Sequence, residues 1–135
     1  MTRYVALIDG EPGAFGVIIP DCPGCAGMGD TIEEALDNAA EGLRDWMEAI
    51  EAQGDAAPVP RSMEAVRAET EADPETGEVL YATVPLIRHL GRPVKANLSL
   101  DSGVLSAIDA TARRLGVTRS AMVEMLAKVA LPGLG

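Results

Sequence analysis

Strand-like and helix-like patterns of apolar residues follow one another along this chain, and each pattern predicts an element. Apolar side chains dominate residues 3–9 and 14–19, which predicts two strands, and Gly-Glu-Pro-Gly at 10–13 predicts a four-residue hairpin loop between them. A short third strand is expected at roughly 25–29, although it is rich in glycine. The start of the chain is therefore expected to form a small antiparallel sheet.

A 3.6-residue period replaces the strand pattern after residue 30 and predicts a long amphipathic helix. Thr31 can cap the helix with Glu34 in a capping box, and Asp30 with Glu33 offers the same arrangement one residue earlier. Gly54 is a natural stop. One face should pack on the sheet while the other exposes a row of carboxylates. The apolar stripe consists of Ile32, Ala35, Leu36, Ala39, Leu43, Trp46, Met47 and Ile50.

Residues 55–78 have the weakest pattern in the chain. Ser62 can cap a short helix over roughly 63–70, and the segment 73–77 has the composition of a turn. Apolar residues return at 79–87, which predicts another strand. Pro85 has no backbone N–H to donate, so it indicates a sheet edge or the end of this strand.

The residues from 93 onward change pattern again. Residues 93–100 alternate between polar and apolar side chains, which predicts a strand. Asp101 or Ser102 can cap a helix that Gly116 ends. Thr118 can cap a second helix that runs to about residue 131.

The second of these helices is apolar on nearly all sides, so it must be buried. So short a segment has no place to bury it, and we expect a second copy of the chain to complete the core, giving a homodimer or a higher oligomer. The expected dimer core contains Leu98, Leu100, Ile108, Met122 and Leu126.

Charge divides the chain into two parts. Residues 1–91 carry five Lys or Arg and 18 Asp or Glu, a net charge of −13, whereas residues 92–135 carry six and three, a net charge of +3. We therefore predict an acidic domain at 1–91 and a weakly basic domain at 92–135, with different partners and a joint at 89–92. No apolar run approaches the ~20 residues of a membrane span, so we expect a cytoplasmic protein without membrane contact.

The sequence offers little for a metal or a redox group. Cys22 and Cys25 have the spacing of reactive pairs, but they lie about five residues too early to gain thiol acidity from the predicted helix N-terminus. Zinc needs two further ligands, and the single histidine, His89, lies in the predicted joint. We expect structural cysteines, a solvated histidine and no cofactor.

The polar face of the predicted tail strand consists of Lys95, Asn97 and Ser99. Two such strands, one from each copy, would form an antiparallel ribbon that fits the DNA major groove. There Lys can reach guanine, Asn can bond adenine through two hydrogen bonds, and Ser suits either base. An ordinary half-buried strand is the alternative, but the helix, glycine turn and apolar helix that follow favour the ribbon.

Residues 93–131 resemble a ribbon-helix-helix DNA-binding domain of the Arc/MetJ type. The shared residues are Lys95 to Leu100, Ile108-Asp109 and Leu115 to Ser120. The resemblance implies that Lys95, Asn97 and Ser99 read bases, Ser99 being short for such a position. It also implies that the start of the last helix binds a DNA phosphate, and a helix N-terminus suits an anion. The phosphate residues would be Thr118, Arg119 and Ser120.

Residues 4–47 resemble the HicB antitoxin domain, a reduced ribonuclease-H-like sheet with one main helix. The shared stretches are Tyr4 to Ala6, Ile19 to Asp21, Pro23 to Cys25 and Gly29 to Leu36. The two resemblances imply an α+β antitoxin that neutralises a HicA-type, mRNA-cleaving toxin and represses its own operon. An acidic domain complements such a basic, RNA-directed partner.

Two other functions are compatible with parts of the sequence. A ribonuclease-H-like enzyme would need convergent carboxylates around two metals, and Asp9 and Asp21 are candidates. Because most other acids follow an exposed helix face, we favour a binding protein without catalysis. The second alternative is an effector- or metal-responsive ribbon-helix-helix repressor without a toxin partner, which the scarcity of histidine disfavours.

Overall fold

The computed structural model describes residues 1–88, 91 and 93–134, and the chain divides into two units, Met1–His89 and Leu90–Gly135. His89 and Arg92, at the two ends of the predicted joint, lie outside the described residues.

A four-stranded antiparallel sheet forms the centre of the N-terminal unit. Its strands lie in the order β3-β2-β1-β4, so β3 and β4 are the edges. The sequence predicted all four strands, including the glycine-rich third one, and Pro85 is the last residue of edge strand β4, as predicted. The strands are β1 (Arg3–Glu11), β2 (Ala14–Ile18), β3 (Ala26–Gly29) and β4 (Leu80–Pro85).

The hairpin between β1 and β2 is tighter than predicted. The ladder continues to the pair of Glu11 with Ala14, so the loop contains two residues and the prediction of four was wrong. Gly10 remains in the ladder opposite Phe15 with a φ of 103°. Because glycine adopts positive φ without a steric penalty, this residue twists the strand without ending it.

Helix α1 (Ile32–Ala52) covers one face of the sheet, which we call the inner face. Its cap is the predicted one, since the Thr31 hydroxyl accepts a hydrogen bond from the Glu34 backbone N–H at 3.1 Å. The predicted apolar stripe packs against Tyr4, Ala6 and Ile8 of β1. The fully buried members of that stripe are Ala35, Ala39, Leu43 and Met47.

Helix α1 also approaches β3 very closely. A Cβ at Gly27 would lie 2.3 Å from the Ala39 backbone nitrogen, and a Cβ at Gly29 would lie 2.6 Å from that of Ala35. Only glycine permits this contact of helix and strand backbones, which explains the glycine-rich composition of β3.

Helix α2 (Met63–Ala72) covers part of the opposite face, which we call the outer face. Ser62 caps it as predicted, by accepting from the Ala65 N–H at 3.1 Å. Val66 is buried against Val5 and Leu7 of β1. The outer face is therefore covered over β1 and β4, and its half over β2 and β3 carries exposed apolar side chains.

The C-terminal unit contains α3 (Ser102–Leu115), α4 (Arg119–Ala130) and a single 3₁₀ turn at Leu131–Gly133. Asp101 caps α3, Gly116 ends it in the left-handed conformation, and Thr118 caps α4, all as predicted. Residues 93–100, by contrast, form no hydrogen-bonded strand. A β-strand is defined by hydrogen bonds to a neighbouring strand, and the described part of this unit contains no second strand with which residues 93–100 could pair.

Candidate functional site

An open groove in the C-terminal unit gathers the apolar side chains of residues 93–100 with both helices. Its volume is ≈ 450 Å³, and Leu105 of α3 and Val123 of α4 form part of its wall. The four apolar members of the alternating segment all line it: Val94, Ala96, Leu98 and Leu100. The four apolar side chains of the alternating segment therefore share one surface, to which Asn97 of the polar set also contributes.

The residues predicted to form a dimer core are only partly packed within the single chain. Met122 is buried and Ile108 is half-buried, whereas Leu98, Leu100 and Leu126 are exposed. The last turns of α4 expose further large apolar side chains, Met125 and Val129. Apolar surface of this extent on one small unit marks an interaction surface.

The three predicted base-reading residues, Lys95, Asn97 and Ser99, are all exposed. Asn97 additionally lines the groove, close to the start of α4. These side chains are thus accessible to a ligand.

The start of α4 brings the three predicted phosphate residues together. The Thr118 hydroxyl accepts from the Ala121 N–H at 3.1 Å, and Ser120 is exposed. Arg119 has a partner that the sequence analysis did not assign: its guanidinium donates to both carboxylate oxygens of Asp109, each at 2.8 Å. This two-fold hydrogen bond from Arg119 lowers the pKa of Asp109.

Arg113 joins this cluster and was missed by the sequence analysis. It lines an open depression of ≈ 530 Å³ together with Thr118, Arg119 and Ser120. The sequence did contain a signal for this residue, since Arg113 and Arg114 are two adjacent cations in the last turn of α3, just before the glycine that ends the helix. A helix C-terminus that carries two cations thus lies beside the N-terminus of the next helix.

The N-terminal unit presents a strongly acidic surface. Every acidic residue of α1 is exposed, as the predicted carboxylate row requires. Four of the five arginines of residues 1–91 form salt bridges with carboxylates, and Arg61 binds both Asp21 and Glu69. These cations are therefore already engaged, and the surplus of negative charge faces solvent.

The cysteines of the N-terminal unit are buried and unbonded to each other. Burial, together with the nearby Cys25 and Asp21, raises the pKa of the Cys22 thiol to about 12, and burial also raises the pKa of Cys25. Both groups are therefore neutral and poorly nucleophilic at physiological pH.

The carboxylates considered for metal-dependent catalysis do not converge. Asp21 accepts two hydrogen bonds from Arg61, whereas Asp9 is exposed on β1. Across residues 1–88, 91 and 93–134, no group of three or more His, Cys, Asp or Glu side chains could hold a metal ion. In the same part of the chain, no helix is both long and apolar enough to cross a bilayer.

Comparison with known proteins identifies the family of this chain. The family described as HicB-like antitoxin of bacterial toxin-antitoxin systems matches residues 4–130, which is most of the chain and spans both units. The chain belongs to the HicB-like antitoxin family. Among curated proteins, none matches the sequence individually.

Solved structures resemble this HicB-like antitoxin across both units. The crystal structure of the antitoxin HicB of Burkholderia pseudomallei is 28% identical with a TM-score of 0.54, and the likeness covers 100% of both chains. The antitoxin HicB3 is 25% identical with a TM-score of 0.53, over 94% of this chain and 96% of that chain. A HicA3–HicB3 toxin-antitoxin complex is 23% identical over 64% of this chain and 99% of that chain, with a TM-score of 0.52, a likeness of fold.

Proposed function

We propose that this HicB-like antitoxin neutralises a HicA-type, mRNA-cleaving toxin through residues 1–91 and represses its own operon through residues 92–135. The observation that carries the proposal is the family match across residues 4–130, because it includes both the acidic unit and the apolar helices of the tail. Neutralisation in this proposal is occlusion: the acidic unit covers the RNA-binding surface of the toxin.

The charge of the N-terminal unit supports the toxin partner. A net charge of −13 on residues 1–91 complements a basic protein that acts on RNA. The four arginines held in salt bridges leave most carboxylates available to such a partner. Complementary charge of this kind raises the association rate and makes binding sensitive to salt.

The exposed apolar side chains of the tail support a dimer that binds DNA in the ribbon-helix-helix manner. A second copy would cover Leu98, Leu100 and Leu126, and residues 93–100 of the two copies would pair as one antiparallel ribbon. Lys95, Asn97 and Ser99 would then face the bases. A phosphate would bind at the start of α4, where the first N–H groups of a helix have no carbonyl partner.

Purified full-length protein tests both halves of the proposal. Added to a purified HicA-type toxin, it should abolish RNA cleavage at a stoichiometric ratio. It should also bind its own promoter DNA at least ~10³-fold more tightly than random DNA. Unchanged RNA cleavage would refute the antitoxin half, and equal affinity for promoter and random DNA would refute the repressor half.

A further inference from the structure

The outer face of the sheet is only half covered, and its uncovered half is apolar. Helix α2 packs over β1 and β4, whereas Ile18 of β2 is 54% exposed and Met28 of β3 is 71% exposed. We call the outer-facing residues of these two strands the outer patch. They are Ala14, Gly16, Ile18, Ala26 and Met28. We propose that the outer patch is the surface on which the basic toxin docks, an inference that rests on the proposed function.

The register of the sheet makes the outer patch one continuous surface. Ile18 pairs with Ala26 and Gly16 pairs with Met28, so the two large side chains are diagonal neighbours on one face. Gly16 contributes no side chain of its own, and the Asp9 carboxylate from β1 lies over it. The patch therefore offers two exposed apolar side chains, Ile18 and Met28, next to a carboxylate, a combination that suits an apolar contact flanked by a cation of the partner.

Carboxylates border the outer patch on the β1 side. Asp9 pairs with Gly16 in the ladder, and its Oδ1 lies 3.1 Å from the position that a Cβ of Gly16 would occupy. Glu11 pairs with Ala14 on the same face and is exposed. An apolar centre with an acidic rim fits a partner whose own apolar contact is surrounded by Lys or Arg.

The same charges disfavour a second copy of this chain as the occupant. Two N-terminal units facing each other would each bring a net charge of −13 and a rim that contains Asp9 and Glu11. Like charges placed across an interface reduce affinity, so a basic protein is the better occupant.

The edge of β3 is occupied by α1, which directs a partner to the face of the sheet. The Asn38 side-chain amide donates to the Met28 carbonyl at 2.6 Å. Helix α1 also passes close to the Ala26 carbonyl, which lies 3.0 Å from the position of a Cβ on Gly42. A strand added to this edge would have to displace these contacts, whereas docking on the face of the outer patch leaves them intact.

Lysine substitutions in the full-length chain test this surface. Ile18→Lys and Met28→Lys keep long side chains at exposed positions but place positive charge against the toxin. Each substitution should raise the dissociation constant of the complex with the toxin at least ~10-fold, measured by calorimetry with a catalytically inactive toxin. Val59→Lys is the matched control, because Val59 is an apolar side chain of the same unit that is 86% exposed. It follows Pro58, whose carbonyl accepts a hydrogen bond from the inner-face residue Tyr4, so it is not part of the outer patch. The control substitution should change the affinity less than ~2-fold.

Hydrogen exchange on the unmodified complex gives a second measurement that does not depend on the variants. Toxin should increase protection at 14–18 and 26–29. If the wild type fails to bind the toxin, the proposed function falls together with this inference. If the wild type binds and both patch variants bind equally well, only the inference falls. Variants that change the mass of the free chain without affecting toxin binding would identify a second copy as the occupant and overturn it.

Discussion

Single residues in this protein have surroundings that their local motifs do not reveal. Cys22 and Cys25 have the spacing of a redox pair, yet both are buried, and their pKa values are raised mainly by desolvation. Arg119 lies at a predicted phosphate position, and its guanidinium also donates two hydrogen bonds to Asp109. In each case the surroundings decide the chemistry, and they belong to parts of the chain that a local motif does not include.

The cysteine environment predicts very slow alkylation of the native protein. A thiol with the pKa of about 12 found for Cys22 is ionised in roughly one molecule in 10,000 at pH 8, and only the thiolate reacts. Iodoacetamide at pH 8 should therefore leave both cysteines unmodified for a time in which the denatured chain is fully alkylated, as measured by mass spectrometry. Fast labelling of the native chain would instead indicate a reactive, accessible pair.

Asn97→Ala tests base reading at one position. The side chain is exposed, and removing an amide that bonds adenine through two hydrogen bonds should cost about 1–3 kcal/mol of operator affinity. Affinity for the toxin should not change, since Asn97 lies in the C-terminal unit. Ser106→Ala, an exposed position on α3, is the control. Equal operator affinity of the Asn97 variant and this control, measured by fluorescence anisotropy, would exclude base reading by Asn97.

At the scale of elements, the sequence correctly predicted the features that depend on contacts between residues close to each other in the chain. Thr31, Ser62 and Thr118 each cap a helix by accepting from the N–H three residues later, and Gly116 ends α3 in the left-handed conformation. Such contacts span a few residues, so the local pattern contains the necessary information. The four strands and the long helix were predictable for the same reason, since hydrophobic periodicity is local.

Features that depend on pairing could not be predicted from the local pattern. The β1–β2 loop was predicted too long because Gly10 and Glu11 look like turn residues until the ladder with β2 is known. Arg61 binds Asp21 across 40 residues of sequence, a contact that only the packing of the unit creates. The outer patch is a further example, because it depends on which half of the sheet α2 covers.

The whole molecule combines two surfaces that differ in charge and in composition. An acidic unit and a weakly basic unit share one chain, and the proposed function assigns a basic protein to the first and a nucleic acid to the second. Under the proposed function, binding at each surface depends on assembly in a different way. One N-terminal unit contains a complete outer patch, whereas the proposed groove-reading ribbon requires residues 93–100 of two copies.

The substitution Leu126→Glu tests whether operator binding requires a dimer while toxin binding does not. Met122 is less suitable for this substitution, because it is buried in the single chain, with only 5% of its surface exposed. A charge there would disturb the fold of the unit itself. Leu126 is 46% exposed, so a carboxylate there is tolerated in a monomer, but it would be buried without a partner in the proposed dimer at a cost of about 3–5 kcal/mol. Sedimentation equilibrium should therefore detect a smaller assembly, operator affinity should fall with it, and toxin affinity per chain should persist.

The control is Ser106→Glu, which adds the same charge at an exposed position of α3 and should alter neither the mass nor either affinity. A Leu126→Glu chain with the wild-type mass and operator affinity would mean that α4 does not contribute to the dimer core.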